Sequence, residues 1–151
     1  MTLKATTETL KLITTAAVPL DYHINYADLT TTATDGTSEV LITTATTTTI
    51  LSAPASSTQR IVLYASFVNR HGSSTQTFVI QKDISGTVYT LTPIFVLNYG
   101  EMVTFAKGVG WQKFNRDGDL ILVGATGATG ATGPAGSGSD NSDYNNIFLL
   151  G

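Results

Sequence analysis

Apolar residues in the first 123 positions recur in short runs at every second place, the period of a strand that buries one face. Residues 10–18 and 21–29 are predicted as two moderately apolar strands, and 39–51 (EVLITTATTTTIL) as one long threonine-rich strand. Residues 60–68 (RIVLYASFV) are almost continuously apolar, which predicts a strand covered on both faces. Over 76–82 the alternation is clear: Phe78 and Ile80 fall on one face, Thr77, Val79 and Gln81 on the other. A loop containing Gly86 leads to 87–92, where Tyr89 and Leu91 resume the pattern, so the two runs predict a hairpin. A second hairpin is predicted from 94–97 and 101–106 around Asn98-Tyr99-Gly100, and a third from 111–114 and 119–123 around Asp117-Gly118. Turn signals every 8–12 residues, and no helical window, predict an all-β fold: a β-sandwich or jelly roll of eight or so strands.

Composition narrows the function classes. A chain of 151 residues is about one domain. Eight basic against eleven acidic residues give a net charge of −3, without the basic stripe that nucleic acid or an anionic membrane surface requires. No run of 18 apolar residues occurs, so no spanning helix is expected. Residues 12–20 follow Lys11, but they are interrupted by threonine and preceded by Glu8, which reads as mature sequence rather than a secretion signal. With no cysteine, disulfides, thiolate metal sites and cysteine nucleophiles are excluded together. Threonine, β-branched and strand-favouring, accounts for 27 residues.

At Gly124 the composition changes. The chain continues GATGATGATGPAGSGSD and ends NSDYNNIFLLG, which divides it into a β domain at 1–123, a repeat at 124–136 and a tail at 137–151. Gly124, Gly127, Gly130, Gly133 and Gly136 stand at a strict period of three, with Pro134 at an X position. When three polyproline-like chains wind together, every third residue meets the common axis and only glycine fits there. A flexible small-residue linker is the alternative reading. Four triplets cannot recover about 1–2 kcal/mol per ordered residue by themselves, so a collagen-like stalk needs a trimer already formed upstream. The stalk is therefore expected to belong to a homotrimer, as a rod of at most about 40 Å. Ile147, Phe148, Leu149 and Leu150 would meet beyond it as a small apolar plug.

Candidate chemistry is sparse. His23 and His71 stand apart, with no His or Cys at ligand spacing. Asn115, Asp117 and Asp119 could hold a hard cation, or be cast as a glycosidase pair, but Asp-Gly with flanking carboxylates is first of all a tight turn. Trp111 could stack on a sugar, although a tryptophan at a hairpin end belongs more often to a core or a subunit interface. Arg60 and Arg70 bracket the central strand and are read as capping its ends. The tract 43–49 holds six threonines in seven residues and is read as an exposed edge, either solvated or in subunit contact. No nucleophile elbow, zinc motif or phosphate loop is present, so neither enzyme activity, metal nor cofactor is expected.

Residues 58–70 (TQRIVLYASFVNR), 77–93 (TFVIQKDISGTVYTLTP) and 97–111 (LNYGEMVTFAKGVGW) resemble small virion-associated β proteins of tailed bacteriophages. In these a strand ends in Asn, a hairpin follows, then a Leu-x-x-Gly-Glu turn and a terminal Gly-Trp. Here those features fall on Asn69, on Leu97, Gly100 and Glu101, and on Gly110 and Trp111. Short GAT and GPA triplets appended to small β domains are common in the same proteins. The resemblance implies a non-enzymatic virion structural protein, a trimeric capsid decoration or short fibre exposed on the particle and bound to other capsid or tail proteins. The alternative is a tail-associated receptor- or glycan-binding module, with Trp111 or Tyr144 stacking on a host-surface glycan.

Overall fold

The computed structural model describes residues 1–121, and every regular element among them is a strand: β1 (Thr2–Leu3), β2 (Glu8–Thr14), β3 (Leu20–Leu29), β4 (Ala33–Ile42), β5 (Thr47–Leu51), β6 (Gln59–Asn69), β7 (Gln76–Ile84), β8 (Thr87–Thr90), β9 (Phe95–Leu97), β10 (Met102–Ala106), β11 (Gly110–Phe114) and β12 (Leu120–Ile121). All pairings are antiparallel. The larger sheet runs β12-β11-β10-β6-β3-β4, with β1 beside β6 as well; the smaller runs β5-β2-β7-β8, with β9 also on β7. Alternation turns Leu10 and Leu12 of β2 inward, with Phe78 and Ile80 of β7. From the larger sheet come Leu20, Tyr22 and Ile24 of β3, and Val62, Ala65 and Phe67 of β6. These residues form one buried cluster. Each large apolar side chain removed from water there contributes about 1.5–3 kcal/mol. The fold is all-β, and its two antiparallel sheets around one core are consistent with a β-sandwich.

The structure redraws several predicted elements. The run 39–51 is two strands in different sheets: β4 ends at Ile42 against β3, and β5 pairs with β2. Ile42, Ile50 and Leu51 are buried, while Thr43, Thr44, Ala45 and Thr46 between the two strands are exposed and form the corner between sheets. The Thr14 hydroxyl holds that corner, donating to Thr44 O at 2.8 Å and accepting from Thr46 N at 3.1 Å. β4 also starts at Ala33, earlier than its hydrophobicity suggests, because a ladder of ten residue pairs with β3 draws the polar stretch into the sheet.

β6 is not covered on both faces. Val62, Ala65 and Phe67 point inward, whereas Ile61, Leu63, Tyr64 and Val68 are half-buried on the other side. The register jumps from Asn25↔Tyr64 to Tyr26↔Val62, leaving Leu63 as a bulge that shifts the inward positions from even to odd numbers. The second predicted hairpin is a crossover instead. β9 pairs with β7 in the smaller sheet, and β10 pairs with β6 and β11 in the larger. Glu101 closes the turn by accepting from Asn98 N at 2.8 Å, and Asn69 Nδ2 of β6 donates to Leu97 O at 2.8 Å. The first and third hairpins, β7–β8 and β11–β12, form as predicted.

Candidate functional site

The outward face of the larger sheet carries two contrasting halves. Cross-strand register places Leu120, Phe114, Met102 and Val68 side by side on β12, β11, β10 and β6. The inward neighbours of this row, Val103 and Phe67, are fully buried, so alternation turns the row itself outward. Leu120 is 44% exposed and the other three are half-buried. The same row continues into Asp21 of β3 and Leu41 of β4. Here the surface becomes charged.

A shallow concavity of about 410 Å³ opens at that end, lined by Asp21, His23, Glu39, Ser66, Val68 and Arg70 among others. Its polar groups are paired: Arg70 with Asp21 as an ion pair, and His23 Nδ1 hydrogen-bonded with Glu39 Oε2 at 2.9 Å. Ser66, His23 and Glu39 stand in register across β6, β3 and β4, which is the order of a nucleophile, base and carboxylate. His23, however, hydrogen-bonds Glu39 and not Ser66. β3 and β6 are both paired along their two edges, so their backbone N–H groups serve the ladders rather than an oxyanion. The arrangement suits hydrogen bonding to a polar surface better than bond cleavage. A second concavity, of about 440 Å³, is lined by Asn25, Tyr26, Asp35, Gly36, Thr37 and Leu63. Gly36 has no side chain there because a Cβ would lie 2.5 Å from the Tyr26 ring. The Asn25 side-chain oxygen is buried without a hydrogen-bond partner.

The residues singled out from sequence are mostly consumed by the fold. Trp111 packs its ring against Phe95 and Phe105, each at 5.2 Å between centroids, and against Phe67 at 6.2 Å. Its indole thus extends the core rather than presenting an open stacking face. Asn115 Oδ1 accepts from Asp117 N at 3.0 Å and Asp119 N at 2.8 Å, while Asn115 Nδ2 donates to Asp119 Oδ2 at 3.0 Å. Those oxygens serve the β11–β12 turn. His71 Nδ1 accepts from Ser73 N and Ser74 N, which makes it a turn acceptor. Arg60 forks onto Asp28, with both bonds at 2.7 Å, donates to Ser52 O at 2.9 Å and lies 4.2 Å over the Tyr26 ring. The arginines therefore pair with β3 from the two ends of β6. The threonine tract is exposed apart from the half-buried Thr48, and its last three residues open edge strand β5.

The apolar row and the buried amide of Gln76 were not singled out from the sequence, and Asn69 entered only as a strand end in the resemblance. The row is visible only once the strand order is known. Gly124, Gly127, Gly130, Gly133, Gly136, Tyr144, Ile147, Phe148, Leu149 and Leu150 lie outside the described residues. Among the described residues no group of three His, Asp or Glu side chains could hold a metal ion, and no helix is long and apolar enough to cross a membrane. Comparison with protein families, curated proteins and solved structures found no match for the chain.

Proposed function

We propose that this chain is a non-enzymatic structural protein of a tailed-bacteriophage particle: a homotrimeric capsid decoration or short fibre whose β domain carries a collagen-like stalk. The observation that carries this reading is the strict period of Gly124, Gly127, Gly130, Gly133 and Gly136. Glycine at every third place is required where three chains share an axis and is needless in a linker. The all-β architecture supports it, since a small two-sheet domain can present flat faces to neighbouring subunits. The engagement of Asn115, Asp119, Arg60, Asp28 and His71 in bonds within the fold supports it as well. The β domain supplies the preformed trimer that four triplets need, and the stalk projects from it.

Two measurements test this. Sedimentation equilibrium of the full-length chain at micromolar concentration is expected to give three times the 15.9 kDa chain mass. Electron microscopy of purified particles containing the protein should place it on the surface in threefold clusters. A monomer in solution, together with single unclustered copies on the particle, would sink the reading.

A further inference from the structure

We infer that the apolar row Leu120–Phe114–Met102–Val68, on the outward face of the larger sheet, is the surface through which three copies of this chain meet. The inference rests on the trimeric reading above and adds to it the face that builds the trimer. Its first support is the short span of sequence between β12 and the glycine repeat. Ile121 closes β12, and only Leu122 and Val123 separate it from Gly124. Three steps of extended backbone reach about 10 Å. If three stalks begin together at Gly124, each copy of Ile121 must lie within about that distance of the common axis. The β11–β12 border of the larger sheet therefore faces the axis, and no other border of the domain has this constraint.

The second support is the chemistry at that border. Its outward side offers Leu120, Phe114, Met102 and Val68 in one row across four strands. Its inward side carries Lys113, paired with Glu101 at 2.8 Å. Burying that ion pair against a second copy would cost desolvation that burying the row does not. Leu41, 51% exposed, lies at the far end of the same row on β4, beyond the charged Asp21. Val96, 48% exposed, sits on the outward face of the smaller sheet, because its β9 neighbour Phe95 turns inward onto Phe78. The two outward faces point away from each other, so they cannot both line an axis near Ile121. The polar half of the larger sheet, with Asp21, His23, Glu39 and Arg70, then falls at the rim, where its polar and charged groups remain in water.

The absence of native cysteine makes a clean test. Leu120→Cys and, separately, Val96→Cys are made in the full-length chain, sedimented, and treated with a short flexible bismaleimide before a denaturing gel. The expected result is that both variants sediment as trimers and only L120C yields covalently linked chains. A trimer in which L120C stays unlinked would overturn the assigned face and leave the trimer standing, whether or not V96C is linked. Monomers for wild type and both variants would remove the trimer itself, and the interface with it. As an independent readout, Leu120→Asp should raise the midpoint concentration for assembly by about tenfold or more, since losing one apolar contact of this size is worth at least that factor. An unchanged midpoint would also overturn the assignment.

Discussion

Asn69 is fully buried, and one of its three side-chain hydrogen bonds, to Leu97 O of β9, ties the larger sheet to the smaller. Its amide donates to Ser74 O and Leu97 O, each at 2.8 Å, and its oxygen accepts from His71 N at 2.9 Å. Asn69→Ala leaves two carbonyls and an amide without partners, so a loss of about 2–4 kcal/mol is expected in urea unfolding. Gln76 of the smaller sheet holds the loop between β2 and β3, donating to Val18 O at 2.6 Å. Asp28 gives the fold a dependence on acid. Hydrogen bonds from the Arg60 guanidinium hold its carboxyl below the ordinary range, against the opposing effect of burial. For Glu8 and Glu101 burial pushes upward, but bonds from Lys82 and Lys113 carry both below it. A depressed folded value stabilises above the unfolded carboxylate pKa of about 4 and is lost as the pH falls through the folded value. The melting temperature should therefore fall steeply below about pH 4, and Asp28→Asn should flatten part of that slope. An identical slope in the variant would show that the pair contributes nothing.

At the scale of elements, turns decide which runs of strand residues pair. Ser85 and Gly86 join β7 to β8 with φ of 51° and 89°, both left-handed, as a two-residue hairpin turn requires. Glycine adopts that geometry freely and serine does not. Ser85→Asn, the residue preferred there, should raise stability by about 0.5 kcal/mol in thermal or urea unfolding. This hairpin was legible because Gly86 and the flanking alternation lie within one stretch of sequence. The supposed hairpin at 98–100 carries equally good turn residues, yet its two arms belong to different sheets. The β11–β12 turn uses the oxygens of Asn115 and Asp119 internally. A calcium chelator is accordingly expected to leave the melting temperature unchanged, and a drop of several degrees would assign that turn a bound ion.

For the whole molecule, the composition break separates a domain with its own core from the repeat proposed to wind with two other copies. Gly130→Val places a branched side chain where the proposed stalk has room for hydrogen alone. The variant should keep the far-ultraviolet spectrum and unfolding transition of the β domain while the stretch 124–136 becomes rapidly cleaved by protease. Equal protease resistance in variant and wild type would argue against a triple-helical stalk. The trimer itself is expected to persist in the variant, because the row around Leu120 belongs to the β domain.

Alternation and turn spacing were enough to establish an all-β fold over residues 1–121, since period-two burial is local, as in Phe78 and Ile80 of β7. They also placed most strands, because β-branched and aromatic runs between turn residues have few other uses. Which sheet each strand joins was not local. Ile42 and Ile50 look alike in sequence and share one core, and only the pairing of their strands, with β3 and with β2, splits the threonine-rich run into β4 and β5. The bulge at Leu63 likewise depends on the partner strand, since register is a property of a pair. The apolar row of the larger sheet is the clearest case. Leu120, Phe114, Met102 and Val68 span more than fifty positions of sequence, and only the order of four strands brings them onto one face.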